Sequence, residues 1–353
     1  MVSRPRIVFC YRYGLLGGVS AQLLNRYPYL SREFDVRIVY ERDHGMVSRF
    51  PAGVASEART PEAMETALRD ARADITVVMD SPRFIDAWRA VGAPGKLVLE
   101  VHTTTANLVY LKHRDQFDGL SHIVTVSSYM ERLLGEYGLS GLAPITIVPN
   151  CLDDRWRVPS SPVPLDGKPV VWVGKLDGHK RWRTAVDLVD QLSEAPDVTL
   201  LPIFVGGLTS PERELHAITT RLAGSKGLAH AVWWPKVEYD LMPSLYTSVG
   251  FNGGVHLSTT VNESFGMAVA ESVIRGCPVV APAVGALPEL LPEAALYEPG
   301  DWKSAREKAH RAMVDPSFRE ELLSSADHLR TLTDPERAAD IYREVVAQVL
   351  KTA

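Results

Sequence analysis

Short apolar, β-branched runs alternate with amphipathic stretches along almost the whole chain. The strand-like runs are RIVFCY, VRIVY, ITVVMD, KLVLEV, HIVTV and ITIVP in the first half, and PVVWVG, TLLPIF, AVWWP, VHLS and PVVAP in the second. Such alternation is typical of right-handed βαβ units, in which helices cover both faces of a parallel sheet. The pattern therefore predicts an α/β protein with two Rossmann-like, doubly wound parallel-sheet domains.

A break in this pattern divides the two series. The segment CLDDRWRVPSSPVPLDGK is rich in Pro, Ser and Asp and has no consistent period, which is typical of a linker. We expect a first domain over 1–150, a linker over 151–168, a second domain over 169–334 and a terminal helix within 335–353. Since ligands of such sheets bind at the carboxyl ends of the strands, two linked domains predict a cleft between them.

Composition narrows the class of protein. The chain has 353 residues, of which 46% are hydrophobic and 23% charged, and three widely spaced cysteines that predict neither a disulfide framework nor a zinc site. No apolar run approaches the roughly 18 residues that span a bilayer, and the first residues lead directly into a strand pattern, so we expect a cytoplasmic protein. The net charge of −5 argues against nucleic-acid binding.

The charge is unevenly divided. There are 17 basic and 16 acidic residues up to Asn150, against 21 and 27 after it. This asymmetry is compatible with peripheral contact between the N-terminal domain and an anionic membrane surface, although ordinary surface variation explains it equally well.

The segment VNESFGMAVAESVI carries the most specific chemistry in the chain. Glu263 and Glu271 flank the turn-forming Ser264-Phe265-Gly266, and an apolar segment from Met267 to Ile274 predicts a helix. The first-turn amides of such a helix favour an anion, and carboxylates accept hydrogen bonds from sugar or ribose hydroxyls. The two glutamates can therefore hold different parts of one long polar ligand. The alternative is a capped amphipathic helix with an acidic surface.

ESFGMAVAE, followed by SVIRGCPVVAP, resembles the nucleotide-sugar signature of the retaining glycosyltransferases of family 4, which have the two-domain B-type (GT-B) fold. The resemblance implies that Glu271 binds the ribose and Glu263 the transferred sugar. It also implies that Ser264, Phe265 and Gly266 offer backbone amides to the donor. In this family the terminal helix crosses back over the N-terminal domain.

VVWVGKLDGHKRW resembles the strand-turn element that binds the donor diphosphate in this family. Gly174, Lys175 and Lys180 occupy its positions, although arginine is commoner at the first basic position. Lysine supplies a point charge but lacks the planar guanidinium group with which arginine binds two oxygens at once. Fixed cations stabilise the charge that develops on a departing diphosphate. The alternative for the two lysines is a solvated surface turn. There is no Asp-x-Asp sequence and no cluster of metal-ligand residues, so no metal and no cofactor is expected.

Other candidate positions follow from the same resemblance. Gly17 and Gly18, in GLLGGVS, correspond to the loop whose backbone approaches the donor, although a tight strand-to-helix turn needs the same residues. His102, after KLVLEV, corresponds to the histidine that faces the sugar, with a structural histidine as the alternative.

Around AVWWPKVEYDL, Lys236 and Val237 lie in the loop that corresponds to the nucleobase site. Tyr239 and Leu241 are expected on the packed side of the following helix, and the pair Trp233-Trp234 in the core.

The resemblance implies a retaining glycosyltransferase that moves a sugar from a nucleoside-diphosphate donor to a hydroxyl acceptor, and the absence of metal-ligand motifs predicts that it is metal-independent. The N-terminal domain would bind the acceptor, which the sequence leaves open as a glycan, a lipid or a small metabolite. The alternatives are a phosphorylase or a nucleotide-sugar epimerase on the same fold, or a catalytically silent nucleotide-sugar-binding partner.

Overall fold

The computed structural model describes residues 4–104 and 106–351. Residues 1–3, 105, 352 and 353, which the predicted domain bounds include, lie outside the described residues. The chain forms two compact units, one of residues 1–153 with 332–353 and the other of residues 154–331.

The first unit contains a parallel sheet whose strand order is β3-β2-β1-β4-β5-β6-β7. Its strands are β1 (Arg6–Gly14), β2 (Asp35–Asp43), β3 (Ala55–Glu57), β4 (Ile75–Met79), β5 (Lys96–Val101), β6 (Leu120–Thr125) and β7 (Ile145–Ile147). The first four helices are α1 (Gly18–Leu30), α2 (Pro61–Ala71), α3 (Pro82–Ala90) and α4 (Ser128–Glu136). The central strands are buried on both faces, as the continuous apolar runs in the sequence predict.

The second unit repeats this topology with the strand order β10-β9-β8-β11-β12-β13. Its strands are β8 (Lys168–Val173), β9 (Leu200–Val205), β10 (Val232–Trp234), β11 (Val255–Leu257), β12 (Val279–Pro282) and β13 (Leu296–Tyr297). The helices that follow α4 are α5 (Trp182–Leu192), α6 (Glu212–Gly224), α7 (Met242–Phe251), α8 (Met267–Ile274), α9 (Leu287–Leu290), α10 (Trp302–Val314), α11 (Pro316–Leu322) and α12 (Ala326–Leu332). The prediction of two doubly wound parallel sheets is confirmed.

The last helix, α13 (Pro335–Lys351), belongs to the first unit. Its apolar face, which includes Ala338, Tyr342 and Val346, shares one core with strands β1 and β2 and with helix α1. The Leu152 amide donates to the Thr333 carbonyl at 2.9 Å, so the chain enters and leaves the second unit side by side.

The proline-rich segment lies along the second unit from Asp154 onward. The Val163 amide donates to Ser248 Oγ at 3.0 Å, and the Leu165 amide donates to Asn252 Oδ1 at 3.0 Å. Prolines have no backbone N–H and cannot form the hydrogen bonds of a sheet. The backbone amides between them are therefore hydrogen-bonded to side chains of α7 and of the residue at its C-terminal end.

In each unit the strand order reverses between two neighbouring strands, which are β1 and β4 in the first unit and β8 and β11 in the second. The crevice at such a reversal, outside the carboxyl ends of the strands, is where ligands of open α/β sheets bind. In the second unit these strands are β8, which leads into Gly174, and β11, which leads into the loop containing Glu263. In the part of the chain that the structure describes, no helix is both long and apolar enough to span a membrane.

Candidate active site

The loop after β8 places Lys180 against the strand end. A Cβ on Gly174 would lie 3.1 Å from Lys180 Cγ and 3.0 Å from the Trp172 ring, so the missing side chain lets the lysine stem lie close to the backbone. Asp177 Oδ1 accepts from the Lys180 amide at 2.8 Å, and Thr259 Oγ1 donates to the Lys180 carbonyl at 2.8 Å. The loop is therefore bound both to itself and to the segment after β11.

The ammonium group of Lys180 forms an ion pair with Glu263 Oε1. The side chains are 26% and 18% exposed, so a ligand can reach both. Each neutralises the other in the unliganded protein. An anion with several hydroxyl groups can replace this ion pair. Its charged oxygens would bind the lysine and its hydroxyls would donate to the carboxylate, so neither charge would be left without a partner.

The loop that carries Glu263 is held in place through the backbone amide and carbonyl of Glu263. Asn262 Oδ1 accepts from the Glu263 amide at 2.8 Å, and the Ala286 amide donates to the Glu263 carbonyl at 2.9 Å. Gly285 has φ +57°, and a Cβ there would lie 2.2 Å from that carbonyl oxygen. Glycine is needed at this position because the segment after β12 passes so close to the glutamate.

Helix α8 begins and ends where the sequence predicts, at Met267 and Ile274. Gly266 precedes it in the left-handed region, with φ +103°. The Phe265 side chain is fully buried, so this residue can meet a ligand through its backbone alone. The amides of Val269 and Ala270 donate to the Gly266 carbonyl, each at 3.0 Å. The amides before them, of Met267 and Ala268, favour an anion in front of the helix.

Glu271 lies one turn inside α8 and is 6% exposed. Burial raises the pKa of its carboxyl to about 8, and a hydrogen bond with Tyr239 opposes that rise. A carboxyl that costs free energy to bury indicates a site kept for a ligand, because an apolar residue would pack here more favourably.

The other predicted positions of the second unit lie on loops at the same sheet edge. Lys175 is exposed, and Lys236 is ion-paired with Glu238 next to the partly buried Val237. The prediction that Trp233 and Trp234 both belong to the core is wrong for Trp234, which is 40% exposed at the end of edge strand β10.

Gly17 and Gly18, in the first unit, begin helix α1 after β1. Gly17 has an extended backbone with φ −165°. A Cβ on Gly17 would meet Leu15 Cδ1 at 3.5 Å, an ordinary contact, and one on Gly18 would meet nothing within 4 Å. Neither backbone conformation nor packing within the described chain requires glycine here. Glycine is itself favoured at the position before a helix, which Gly17 occupies, so the approach of a ligand to this backbone stays a prediction.

His102 follows β5 and is buried in a charged cluster. Its Nε2 lies 2.8 Å from Glu100 Oε1, and Asp80 Oδ2 accepts from its amide at 3.0 Å. Arg26 Nη1 donates to Glu100 Oε1 at 2.9 Å, and the Tyr342 hydroxyl of α13 donates to Glu100 Oε2 at 3.1 Å. The His102 side chain is 3% exposed, and its place facing the sugar stays a prediction.

The pKa values of the two buried carboxyls of this cluster, Glu100 and Asp80, are shifted in opposite directions. Burial alone would raise the pKa of Glu100, but Arg26 and His102 together lower it to about 2. Burial raises the pKa of Asp80 to about 6, although His102 opposes the rise. Glu100 is therefore a fixed negative charge behind His102.

Residues 156–328 match the family described as Glycosyl transferases group 1. The match covers β8 to α12 and includes every candidate residue of the second unit. Over this segment, which lies within the second unit, the chain matches the group 1 glycosyltransferases. The match does not extend into the first unit.

Two curated proteins resemble this chain over part of its length. One is D-inositol 3-phosphate glycosyltransferase of Streptomyces bingchenggensis (strain BCW-1), 28% identical over 174 residues, which are 46% of this chain and 36% of that protein. The other is 2-deoxystreptamine glucosyltransferase of Streptomyces kanamyceticus, 27% identical over 189 residues, which are 49% of this chain and 46% of that protein. The aligned region spans less than half of each relative.

Among solved structures, the chain is similar to Anabaena HepE in complex with UDP and glucose. The TM-score is 0.81 at 15% sequence identity, covering 97% of this chain and 99% of that one. At this identity the likeness shows the fold, which is the GT-B fold that its neighbours share.

Some residues near this site differ from the sequence interpretation, and others were no part of it. Leu241 is 60% exposed, which contradicts its expected packing, whereas Tyr239 is buried as expected but is hydrogen-bonded to Glu271. Gly285 and Glu100 were not singled out, since a glycine before a leucine-rich run and a glutamate inside a strand carry no local signal. Among residues 4–104 and 106–351, no three His, Cys, Asp or Glu side chains are grouped as a metal site.

Proposed function

We propose that this chain is a retaining, metal-independent glycosyltransferase that transfers a sugar from a nucleoside-diphosphate donor to a hydroxyl acceptor. The observation that carries the proposal is the Lys180–Glu263 pair at the strand-order reversal of a group 1 glycosyltransferase unit, with α8 and Glu271 beside it. A cation, a helix N-terminus and two carboxylates match the diphosphate, the sugar and the ribose of one ligand.

Each residue then has one task. Lys180 and Lys175 neutralise the diphosphate, with the amides of Ser264 to Gly266 and the first turn of α8. Glu263 accepts hydrogen bonds from sugar hydroxyls and Glu271 from the ribose diol. Lys236 and Val237 receive the nucleobase through their backbone. Gly17 and Gly18 admit the donor phosphate to the backbone, and His102 faces the sugar.

The chemical step breaks the bond between the anomeric carbon and the diphosphate oxygen. The acceptor oxygen bonds to the same face of that carbon, and its proton passes to the departing phosphate oxygen. Preorganised cations and amides stabilise the negative charge as it develops on the leaving group, which is worth roughly 100- to 1000-fold in rate for one such donor. No residue of the site is assigned as a separate general base.

Donor identity is tested by thermal stabilisation with UDP, GDP, ADP and dTDP and their sugars, without added metal. Because HepE was solved with UDP and glucose, UDP-glucose is the first sugar nucleotide to test. A rise in Tm with one nucleotide supports the proposal. Stabilisation by none of them contradicts it.

Transfer is then tested with candidate acceptors that include D-inositol 3-phosphate and 2-deoxystreptamine, from the names of the two relatives. The anomeric configuration of the product, read by NMR, tests retention. Activity that EDTA abolishes and manganese restores would contradict metal independence. Binding of a nucleotide sugar without transfer to any acceptor would instead favour a silent binding partner.

A further inference from the structure

A buried hydroxyl group connects strand β8 to the loop that carries Lys180. Trp172 Nε1 donates to Thr259 Oγ1 at 3.1 Å, and Thr259 Oγ1 donates to the Lys180 carbonyl at 2.8 Å. Trp172 is 2% exposed and Thr259 is 1% exposed. Trp172 lies in β8 and Thr259 follows β11, so two neighbouring strands and the loop after the first of them meet at this hydroxyl.

The chemistry of the three groups determines the direction of these bonds. An indole N–H donates only and a carbonyl accepts only, so the Thr259 oxygen accepts from Trp172 and its proton is directed to the loop. The Arg181 carbonyl lies 3.2 Å from the same oxygen, further away than the Lys180 carbonyl. The single hydroxyl proton therefore serves the carbonyls of two consecutive residues, of which Lys180 is the nearer.

The backbone of this loop is strained at the residue after the lysine. Arg181 has φ +47° and ψ +46°, in the left-handed region that residues other than glycine rarely adopt. Such a conformation costs free energy and persists only where surrounding groups hold it. The Lys180 carbonyl belongs to the peptide group that joins the two residues. The bond from Thr259 therefore fixes the point at which the strained turn begins.

Backbone contacts hold the rest of the loop independently of the side chain at position 259. The Val261 amide donates to the His179 carbonyl at 2.8 Å, and Asp177 Oδ1 accepts from the Lys180 amide at 2.8 Å. Loss of the Thr259 hydroxyl should therefore release the peptide after Lys180 without detaching the loop from the segment that follows β11.

Trp172 borders the lysine side chain as well as directing the hydroxyl. A Cβ on Gly174 would lie 3.0 Å from the Trp172 ring and 3.1 Å from Lys180 Cγ, so the ring and the lysine stem lie on the same side of this glycine. The stem of Lys180 and its carbonyl are thus both placed by one buried pair, Trp172 and Thr259. The ammonium group at the end of that stem is the one that meets Glu263.

We infer that Thr259, with its hydroxyl directed by Trp172, is a positioning residue for Lys180: it holds the strained peptide so that the ammonium group lies where charge develops on the departing diphosphate. The inference rests on the proposed function and adds a residue outside the two lysines and the glutamate motif. A cation that is already in place stabilises the transition state without having to move during the reaction. A displaced cation lowers the rate, while the rest of the site still binds the donor.

The chain offers matched variants for this hydroxyl. Thr259→Val keeps the branched shape of the side chain and removes the hydroxyl, whereas Thr259→Ser keeps the hydroxyl and removes the methyl group. Thr219→Val is the control for the same substitution elsewhere in the second unit. Thr219 lies on α6, and its hydroxyl also donates to a backbone carbonyl, that of Leu215, at 2.9 Å.

The test is the steady-state turnover, by the full chain, of UDP-glucose or of the sugar nucleotide that stabilises the wild type. We expect Thr259→Val to lower kcat about tenfold and to change the KM for the donor less than about twofold, as for a contact made in the transition state only. Thr259→Ser should restore most of kcat. Thr219→Val leaves kcat and KM as in the wild type.

A double-mutant cycle shows whether Thr259 acts through Lys180. If it does, Thr259→Val has no further effect on kcat in a Lys180→Ala background. Equal falls in kcat in both backgrounds, wild-type kcat for Thr259→Val, or no recovery with Thr259→Ser would each overturn the inference.

Should Thr259→Val fail to fold, Trp172→Phe decides the same question. This variant removes the N–H that directs the hydroxyl, so kcat should fall by a smaller factor, and only when Lys180 is present. Wild-type kcat for Trp172→Phe would then count against the inference. A wild-type chain that turns over no sugar nucleotide would instead overturn the proposed function, and this inference with it.

Discussion

Lys180 and Glu263 are 83 positions apart in the sequence, yet their side chains form an ion pair at one edge of the second sheet. The reversal of strand order brings them together, because β8 and β11 are neighbours and the loops that follow them leave the sheet side by side. The pair holds a cation and a carboxylate ready at the point where this topology binds ligands.

We expect Lys180→Ala to lower turnover roughly 100- to 1000-fold, since one fixed charge on the leaving group is lost. The pair is partly exposed, so the free energy of unfolding should fall by less than about 1 kcal/mol. Steady-state kinetics and urea unfolding measure the two effects. Lys226→Ala, at an exposed lysine of the same unit, is the control and should change neither. A fully active Lys180→Ala variant would remove Lys180 from the site.

Glu271 should make stability depend on pH. Burial raises the pKa of its carboxyl from 4.5 to about 8, so between these values the folded state binds a proton that the unfolded state does not. The stabilisation is complete below about pH 4.5 and is lost as the pH rises through about 8. The free energy of unfolding of the wild type, minus that of Glu271→Gln, should therefore fall from pH 5 to pH 8.5 in urea titrations. Parallel curves for the two proteins would show that the carboxyl is ionised throughout.

Glu100→Gln should destabilise the first unit by about 3–5 kcal/mol, because it leaves the buried guanidinium of Arg26 without its counter-charge. Since the pKa of Glu100 is about 2 in the folded state, its stabilisation is present above its ordinary pKa of 4.5 and is lost as the pH falls through 2. Chemical unfolding at neutral pH measures the loss. Glu344→Gln, at an exposed position on α13, is the matched control. A loss no larger than that of the control would mean that Arg26 finds other partners.

Gly18→Ala should separate activity from stability. Position 18 begins α1 with open space where a Cβ would lie, so alanine should leave the free energy of unfolding unchanged or raise it by up to about 1 kcal/mol. Activity should fall, since the methyl group would occupy the approach to the backbone. Gly135→Ala, at a helix position in α4 with equally open space, should be folded as well and fully active. Full activity of Gly18→Ala would assign the glycine to the turn alone.

Local sequence patterns predicted much of the secondary structure of this protein. Apolar runs long enough to show β-branched character were found as strands, and the segment Met267 to Ile274 was found as a helix, because period and composition act over neighbouring residues. The short strands β3 and β13, of three and two residues, were missed, since so few positions show no period. Edge strand β10 was predicted, but its two tryptophans resemble core residues in the sequence, whereas Trp234 is 40% exposed.

By itself, therefore, the sequence determined the elements, their βαβ order and the residue types at the strand ends, because these depend on interactions a few residues apart. Tertiary structure alone decided that Lys180 meets Glu263 and that Arg26 and Tyr342 hold Glu100. Each of these contacts joins segments that are distant in the chain. Their partners are selected by strand order and by the need to pair polar groups once burial has removed water, and neither leaves a local trace.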